Sequence, residues 1–236
     1  MIVRVVKYFL PRVVSLENVT GLLSSKHRKH LQELVRRFLE LGYSVLVFTV
    51  DASHYGDPQE RERVIIFASR IDHRLPEVPA ATHGPGLEPV ASVKKAIGDL
   101  EDVEPAHRRR RVPTADGKNA LFVHWRDGRN RPKSDEDIMQ LEAGCPANTV
   151  LPRNYIEHYS QSRPLSVQER ARLMGIDDSF QFFGTVPQVC DMIGNGVPVN
   201  LSKALGESIK NSFLYSPVQS EMTSLAKHIW EDMQLP

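Results

Sequence analysis

Cysteine is scarce in this chain of 236 residues: there are two, Cys145 and Cys190. Two thiols far apart in sequence give no disulfide framework, and a reduced compartment is the default. Neither belongs to a CxxC or Cys/His cluster, so no structural zinc is expected. No apolar run reaches membrane-spanning length, and no membrane association is expected. The opening "MIVRVVKYFLP" is too short and too charged for a secretory signal. No internal repeat is present. Charge of neither sign dominates, with Lys plus Arg at 30 against 29 acids, so the chain as a whole is not a polycation.

What is present is enough to build a core, since 41% of residues are apolar. The length fits one large domain or a domain with an inserted lobe. Residues 2–10 read as a short amphipathic helix stopped by Pro11. Val13 to Leu16 read as a short buried strand that runs into Glu17-Asn18. A helix follows: Ser24 or Ser25 can cap it, Leu31, Leu34, Val35, Phe38 and Leu39 form one apolar stripe, and Gly42 ends it. "SVLVFTV" (44–50) and "RVIIFAS" (63–69) are β-rich runs that look buried on both faces. The polar stretch between them, "DASHYGDPQERE", is turn-forming. Strand, helix, strand, loop, strand is an α/β pattern.

Composition changes near Leu75. Pro76, Pro79, Pro85 and Pro89, with Gly84 and Gly86, mark a loop or linker. From His107 to Lys133 nine cations face two acids, a local excess of +7. Arg108, Arg109, Arg110, Arg111, Arg126, Arg129 and Arg131 belong to this run. Such a run is a solvated face or a phosphate-binding one, and Phe122 and Trp125 inside it can pack or stack. Next, Ser166 with Glu169 makes a capping box. Gly194 and Gly196 flank Asn195 in what reads as a tight turn. Asn200 can cap a helix carrying Leu201, Ala204, Leu205 and Ile209. Met222, Leu225, Ala226, Ile229 and Trp230 trace a last amphipathic helix.

Four segments in fixed order carry more than their parts: "LENV" (16–19), "YGDPQERERVIIFA" (55–68), "RPLSVQERARLMGIDDSFQF" (163–182) and "IGNGVPVNLSKAL" (193–205). Together they resemble the C-terminal half of a cytosine-C5 DNA methyltransferase. "THG" (82–84) and "AIGDL" (96–100) add to the likeness. "TGLLSS", "FQFFG" and "IGNGVPV" lean toward the fungal branch.

The resemblance implies a partial Rossmann-like, S-adenosyl-L-methionine-dependent fold: sheet over 1–75, a small target-recognition lobe over 76–162, and a return segment over 163–236. It implies double-stranded DNA as partner and an extruded cytosine as substrate, since chemistry on a base requires taking it out of the stack. In that family a thiolate attacks ring carbon 6 and carbon 5 then takes the methyl group. Negative charge builds on the ring, and a group at N3 stabilises it. By resemblance Glu17 is that group, helped by burial that raises its pKa, and Asn18 orients the loop. Arg63 reaches the cytosine O2 and Arg61 braces the site, both lying on one face by the period-two rule. Surface ion pairs with Glu60 or Glu62 are the structural alternative for these arginines. Gln59 shapes the approach, and Gly194, Asn195 and Gly196 close the methyl-donor pocket. Glu169 and Arg172 read as structural.

The family's Gly-rich cofactor loop and Pro-Cys nucleophile precede its Glu-Asn segment, and neither is found here. Cys145 precedes a proline instead of following one, and neither cysteine is assigned as nucleophile. The expectation is a methyltransferase portion, inactive alone, completed by a complementary N-terminal half, and prone to aggregate without it. The alternatives are a non-catalytic DNA-binding or regulatory remnant, or part of a transfer-RNA methyltransferase. A eukaryotic source implies the nucleus, with Arg108–Arg111 as support, and any other source the cytoplasm.

Overall fold

A computed structural model describes residues 2–101, 138–152 and 154–214. The arginines expected to bind nucleic acid (108–111, 126, 129 and 131) and the helix expected over 222–230 lie outside those residues. The chain forms two compact units. One comprises Met1–Asp51, Glu62–Ala80 and the chain from Lys203, and the other Ala52–Arg61 and Ala81–Ser202.

The first unit is built on a three-stranded sheet in the order β1 (Val13–Val19), β3 (Glu62–Arg70), β2 (Tyr43–Asp51), with β3 antiparallel to both neighbours. Helix α1 (Ile2–Phe9) precedes the sheet, and α2 (Arg28–Glu40) carries the chain from β1 to β2. One sheet face carries Val14, Val45, Val47, Val64, Ile66 and Ala68, and it packs with Leu31, Val35 and Phe38 of α2 and Val6 of α1. The apolar stripe of α2 is thus its buried face, flanked by Leu34 and Leu39.

Three local expectations change. Val13–Leu16 is not a buried strand. It continues to Val19, and Val14 alone is fully buried, because among the described residues β1 pairs on one side only. β2 likewise alternates between buried and half-buried residues as far as Phe48, while β3, paired on both sides, is buried from Arg63 to Ser69. Neither Ser24 nor Ser25 caps α2. The N-cap is His27, without a side-chain bond, and Ser24 Oγ donates to Gly21 O at 2.7 Å. Gly42 does end the helix: its φ of +77° is cheap only for glycine, and its N–H reaches Leu39 O.

The second unit has little regular structure. It contains α3 (Val93–Ile97), a two-residue parallel pair β4 (Met139–Gln140) and β5 (Ile156–Glu157), α4 (Val167–Leu173) and α5 (Val186–Asn195). α6 (Val199–Leu214) begins here. α4 is packed on two sides. Leu165 and Leu173 join Val93, Ile97, Val150 and Ile156, whereas Val167, Ala171 and Met174 join Val189, Cys190 and Ile193. The expected capping box is formed: Ser166 Oγ accepts from Glu169 N, and Glu169 Oε2 accepts from Ser166 N at 2.7 Å. Double-sided packing buries Glu169 and Arg170 of this helix too. Glu169 accepts two bonds from Arg163, at 2.8 and 2.9 Å.

Candidate active site

In the first unit the register decides where the predicted residues point. Glu17 stands opposite Ile65 and Val19 opposite Arg63. Directly opposed residues share a face, so Glu17 and Arg63 are diagonal neighbours on the face away from α2. Their side chains meet: Arg63 Nε lies 2.6 Å from Glu17 Oε1. The arginine side chain is 8% exposed and the glutamate 30%. Glu17 is thus only partly covered, on the outer strand of the sheet among the described residues. Arg63 Nη1 donates to Glu62 O at 2.7 Å. Asn18, exposed on the opposite face, bonds Val19 N through its own Oδ1 at 2.9 Å. That local bond tightens the strand end, where a 3₁₀ turn (Thr20–Leu23) begins.

The polar stretch 52–61 turns as expected, through a 3₁₀ turn over Ala52–Tyr55, but most of it is buried. Ala52, Ser53, Tyr55, Asp57, Gln59 and Arg61 are all buried. Asp57, Gln59 and Arg61 can be, because each finds hydrogen-bond partners within the second unit. Gln59 Nε2 donates to Leu173 O at 3.1 Å and to Met174 Sδ at 3.2 Å, and its Oε1 accepts from Val150 N at 3.1 Å. Pro58 O accepts from Ala147 N, and Glu60 N donates to Ala147 O.

Arg61 is not an exposed strand start making surface ion pairs. β3 begins at Glu62, and the Arg61 guanidinium grips carbonyls instead: Val150 O at 3.0 Å, Gly194 O at 2.8 Å and Gly196 O at 3.0 Å. One planar fork thus ties 150 to 194–196, a task suited to arginine's fixed donor geometry.

Gly194, Asn195 and Gly196 do not form the expected tight turn. Gly194 and Asn195 are the last residues of α5, and Gly196 is its C-cap with φ −70° and ψ 163°. The glycine at 194 serves close approach: a Cβ there would lie 2.2 Å from Pro152 N. Asn195 borders a cleft of about 650 Å³ with Leu151, Pro152, Asn154 and Asp191. That volume suits a nucleoside-sized ligand.

Three buried groups of the second unit carry no sequence signal. Asp57 is fully buried and accepts from Asn200 N at 3.1 Å and Leu201 N at 2.9 Å. It, not Asn200, caps α6, which begins at Val199. Burial pushes its carboxyl up to about 6 against the pull of those two bonds. Gly175 makes room for it, since a Cβ there would lie 2.6 Å from Asp57 Oδ1. Arg170 is buried in the middle of α4 and holds Asn154 O at 2.6 Å and Leu151 O at 3.3 Å. Its desolvation lowers its pKa. His158, buried against Glu169 at 3.6 Å, is likewise depressed by desolvation. An acid between Gly56 and Pro58 reads as turn chemistry, and Arg170 reads as part of a charged helix face. Only packing reveals either.

Neither cysteine is activated. The Cys145 thiol faces the Glu142 carboxylate, and Cys190 is buried, and both are pushed upward in pKa. A thiol pushed upward offers less thiolate. Among the described residues no His, Cys, Asp or Glu group could hold a metal ion, and no helix is long and apolar enough to cross a membrane.

Residues 1–211 match the C-5 cytosine-specific DNA methylase family. The chain is 34% identical over 217 residues to a type II methyltransferase of Methanothermobacter thermautotrophicus, covering 82% of this chain and 64% of that protein. It is 32% identical to a type II methyltransferase of Psychrobacter, covering 87% of this chain and 55% of the relative. The chain thus spans little more than half to two thirds of the length of these relatives. They are archaeal and bacterial, and their names lend the nuclear location no support. A solved structure described as a DNA modification methyltransferase encoded within an Escherichia coli prophage shares the fold, with TM-score 0.70 and 17% identity over 90% of this chain and 73% of that one. The Schizosaccharomyces pombe Dnmt2 methyltransferase does so with TM-score 0.53 and 14% identity over 91% of this chain and 72% of that one.

Proposed function

Because the chain belongs to the C-5 cytosine-specific DNA methylase family, we propose that it supplies the base-holding part of a DNA cytosine-5 methyltransferase. In this reading Glu17 meets N3 of a cytosine turned out of the duplex, and Arg63 meets O2 of the same ring. A carboxyl and a guanidinium side by side match the edge of cytosine, which offers N3 and O2 side by side. The observation that carries the reading is the 2.6 Å contact between Glu17 and Arg63 on one sheet face. Two groups already in contact need only part slightly to face those two adjacent atoms. Electrostatic groups fixed before the charge develops are the main source of such stabilisation.

Arg61 and Gln59 act at one remove. They hold 150, 173–174 and 194–196 in fixed relation. Asn18 shapes the end of β1. S-adenosyl-L-methionine supplies an electrophilic methyl group. Gly194, Asn195 and Gly196 would border it, and the cleft beside Asn195 is of fitting size. Residues 76–162 serve as the recognition lobe and 163–236 as the return segment. Since neither thiol of this chain is activated, the nucleophile comes from elsewhere, in a complementary N-terminal portion. The chain alone does not methylate.

The test is transfer of tritiated methyl from S-adenosyl-L-methionine to cytosine-containing duplex, with and without a complementary N-terminal methyltransferase half. Activity is expected only in the mixture, and Glu17→Gln lowers it by at least a hundredfold, about 2.7 kcal/mol of barrier. Full activity of Glu17→Gln, or methylation by this chain alone, refutes the reading. Methylation of transfer RNA in place of duplex moves it to the RNA-directed alternative.

A further inference from the structure

We propose that the Asp57 carboxylate is a positioning group for the methyl donor: it holds the start of α6, and through it the Asn195–Gly196 border of the cleft. The proposal rests on the donor-cleft reading above and adds the group that fixes that border.

The observation is a helix cap supplied from far along the chain. The residue before α6 is Pro198, whose side chain offers no acceptor. The first amides of α6 are answered instead by Asp57, from 143 and 144 residues away, with Asn200 N at 3.1 Å and Leu201 N at 2.9 Å. From the same segment Arg61 donates to Gly194 O at 2.8 Å and to Gly196 O at 3.0 Å. The two segments are thus matched in opposite order. The anion meets the amides that open α6, and the cation meets the carbonyls that close α5. Between those two holds lie Val197, Pro198 and Val199, and Val199 N is itself tied to Met174 O at 3.0 Å. Asn195, exposed at the cleft, sits between the two carbonyls that Arg61 grips.

A cap alone does not call for a carboxylate. Asp57 is fully buried, and burial outweighs both hydrogen bonds, so its carboxyl is pushed up to about 6. Serine or asparagine would cap a helix without burying a charge. Folding stability therefore does not select this residue, whereas groups that shape a binding site are commonly kept at a cost in stability. Burial and the two amides account for the shift, with no charged side chain contributing. The charges on the elements packed around Asp57 are engaged or turned outward. On α4, Glu169 is held by Arg163, Arg170 by carbonyls, and Arg172 by Asp99 and Asp178. On α5, Asp191 borders the cleft, and Lys203 and Glu207 of α6 are exposed. As pH falls through about 6 the carboxyl gains a proton. The protonated oxygen becomes a donor facing an amide that is itself a donor, so one of the two bonds is lost. The start of α6 loosens, and the Asn195–Gly196 border loosens with it.

The experiment titrates the full chain from about pH 5 to about pH 7 and follows the Asn195 side-chain amide and the Gly196 main-chain amide by NMR. Both are expected to shift with a midpoint of about 6, together with the Asp57 carboxyl carbon, and to lose that step in Asp57→Asn. A step confined to the amides of Asn200 and Leu201 overturns the proposal, for then Asp57 only caps α6. The second measurement is binding of S-adenosyl-L-homocysteine with a complementary N-terminal methyltransferase half present. With a midpoint of about 6, roughly a tenth of the chains carry the carboxylate at about pH 5 and roughly nine tenths at about pH 7, so the wild type binds about tenfold more weakly at the lower pH. Asp57→Asn binds equally at both. The same pH dependence in the two proteins overturns the proposal. The two readings fail separately. If S-adenosyl-L-homocysteine binds without moving the Asn195 signals, while those signals still follow Asp57, the donor-cleft reading sinks and the hold of Asp57 on that border stands. Signals that move with the compound but ignore Asp57 uphold the cleft and overturn the part given to Asp57.

Discussion

Replacing Asp57 by asparagine changes stability with a sign that depends on pH, and the structure gives the size. The carboxyl is fully buried and rises from 3.8 to about 6, chiefly through desolvation, with the amides of Leu201 and Asn200 pulling the other way. A rise of that size corresponds to about 3 kcal/mol, to order of magnitude. For an acid whose folded pKa is raised, the folded state binds more protons than the unfolded state between the two values. Stability therefore falls as pH climbs from about 4 to about 6, then levels off. The Asp57→Asn side chain is uncharged at every pH, so the variant lacks this slope. It keeps one acceptor for the α6 amides and loses the second, at a cost of about 1 kcal/mol. At about pH 4 the wild type, protonated and relieved of its buried charge, is the more stable by about that amount. At about pH 7 the variant is the more stable, by about 2 kcal/mol. Urea unfolding followed by circular dichroism from about pH 4 to about pH 7.5 reads the difference between the two proteins, in which every other carboxylate cancels. A difference that stays flat across the range refutes the reasoning, for then Asp57 is either solvated or not the cap.

Two further perturbations test the buried polar framework. Gly194→Ala puts a Cβ 2.2 Å from Pro152 N and 2.6 Å from Leu151 C. Both are main-chain atoms and cannot swing aside, so a loss of about 3 kcal/mol or more is expected in chemical denaturation, while Gly206→Ala, with open space at its Cβ, is stabilising or neutral in the same assay. Arg61→Lys keeps the charge but reaches fewer than the three carbonyls now held. Hydrogen exchange at the Gly196 amide is expected to quicken roughly tenfold or more, with β2 and β3 unchanged, and equal protection would show that the fork is dispensable.

Apolar periodicity made much of the fold legible. The stripe of α2, the two hydrophobic runs and the glycine at 42 depend on neighbours within a turn or two, and they stand nearly where the pattern puts them. Exposure was less legible. Val13-Val14-Ser15-Leu16 reads as buried from its residues, yet pairing on one side makes it an edge, and pairing partners are not encoded in the strand itself. At the site, the types Glu17 and Arg63 could be named from the joint motif, but their contact follows from a register set by β3. The Gly-Asn-Gly segment misled because glycine has two uses. It permits left-handed turns, and it also permits close approach. Gly194 uses the second, against the main chain of Leu151 and Pro152, far away in sequence. Asp57 and Arg170 were illegible because charge in a short window argues for solvent, and only distant carbonyls and amides make burial affordable.

The segment from 57 to 63 joins these observations. Asp57, Gln59, Arg61 and Arg63 are buried, while Glu60 and Glu62 are exposed. From Gln59 onward the alternation is that of an extended chain, begun before the first ladder bond of β3 at Glu62, whereas Asp57 and Pro58, both buried, precede it. Each buried side chain has its own set of partners, with Val150 shared by Gln59 and Arg61. Asp57 takes the first amides of α6, Gln59 the end of α4 and Val150, Arg61 the end of α5, and Arg63 the carboxylate of Glu17. A polar strand lead can be this buried because its inward groups meet amides, carbonyls and a carboxylate at fixed positions. Ion pairs alone would not give that order, since a charge is satisfied by any opposite charge nearby, whereas carbonyls and amides at named positions accept one geometry. The same logic explains why the outward positions are both glutamates: they keep the segment soluble without offering the inward arginines a competing partner on their own side of the strand.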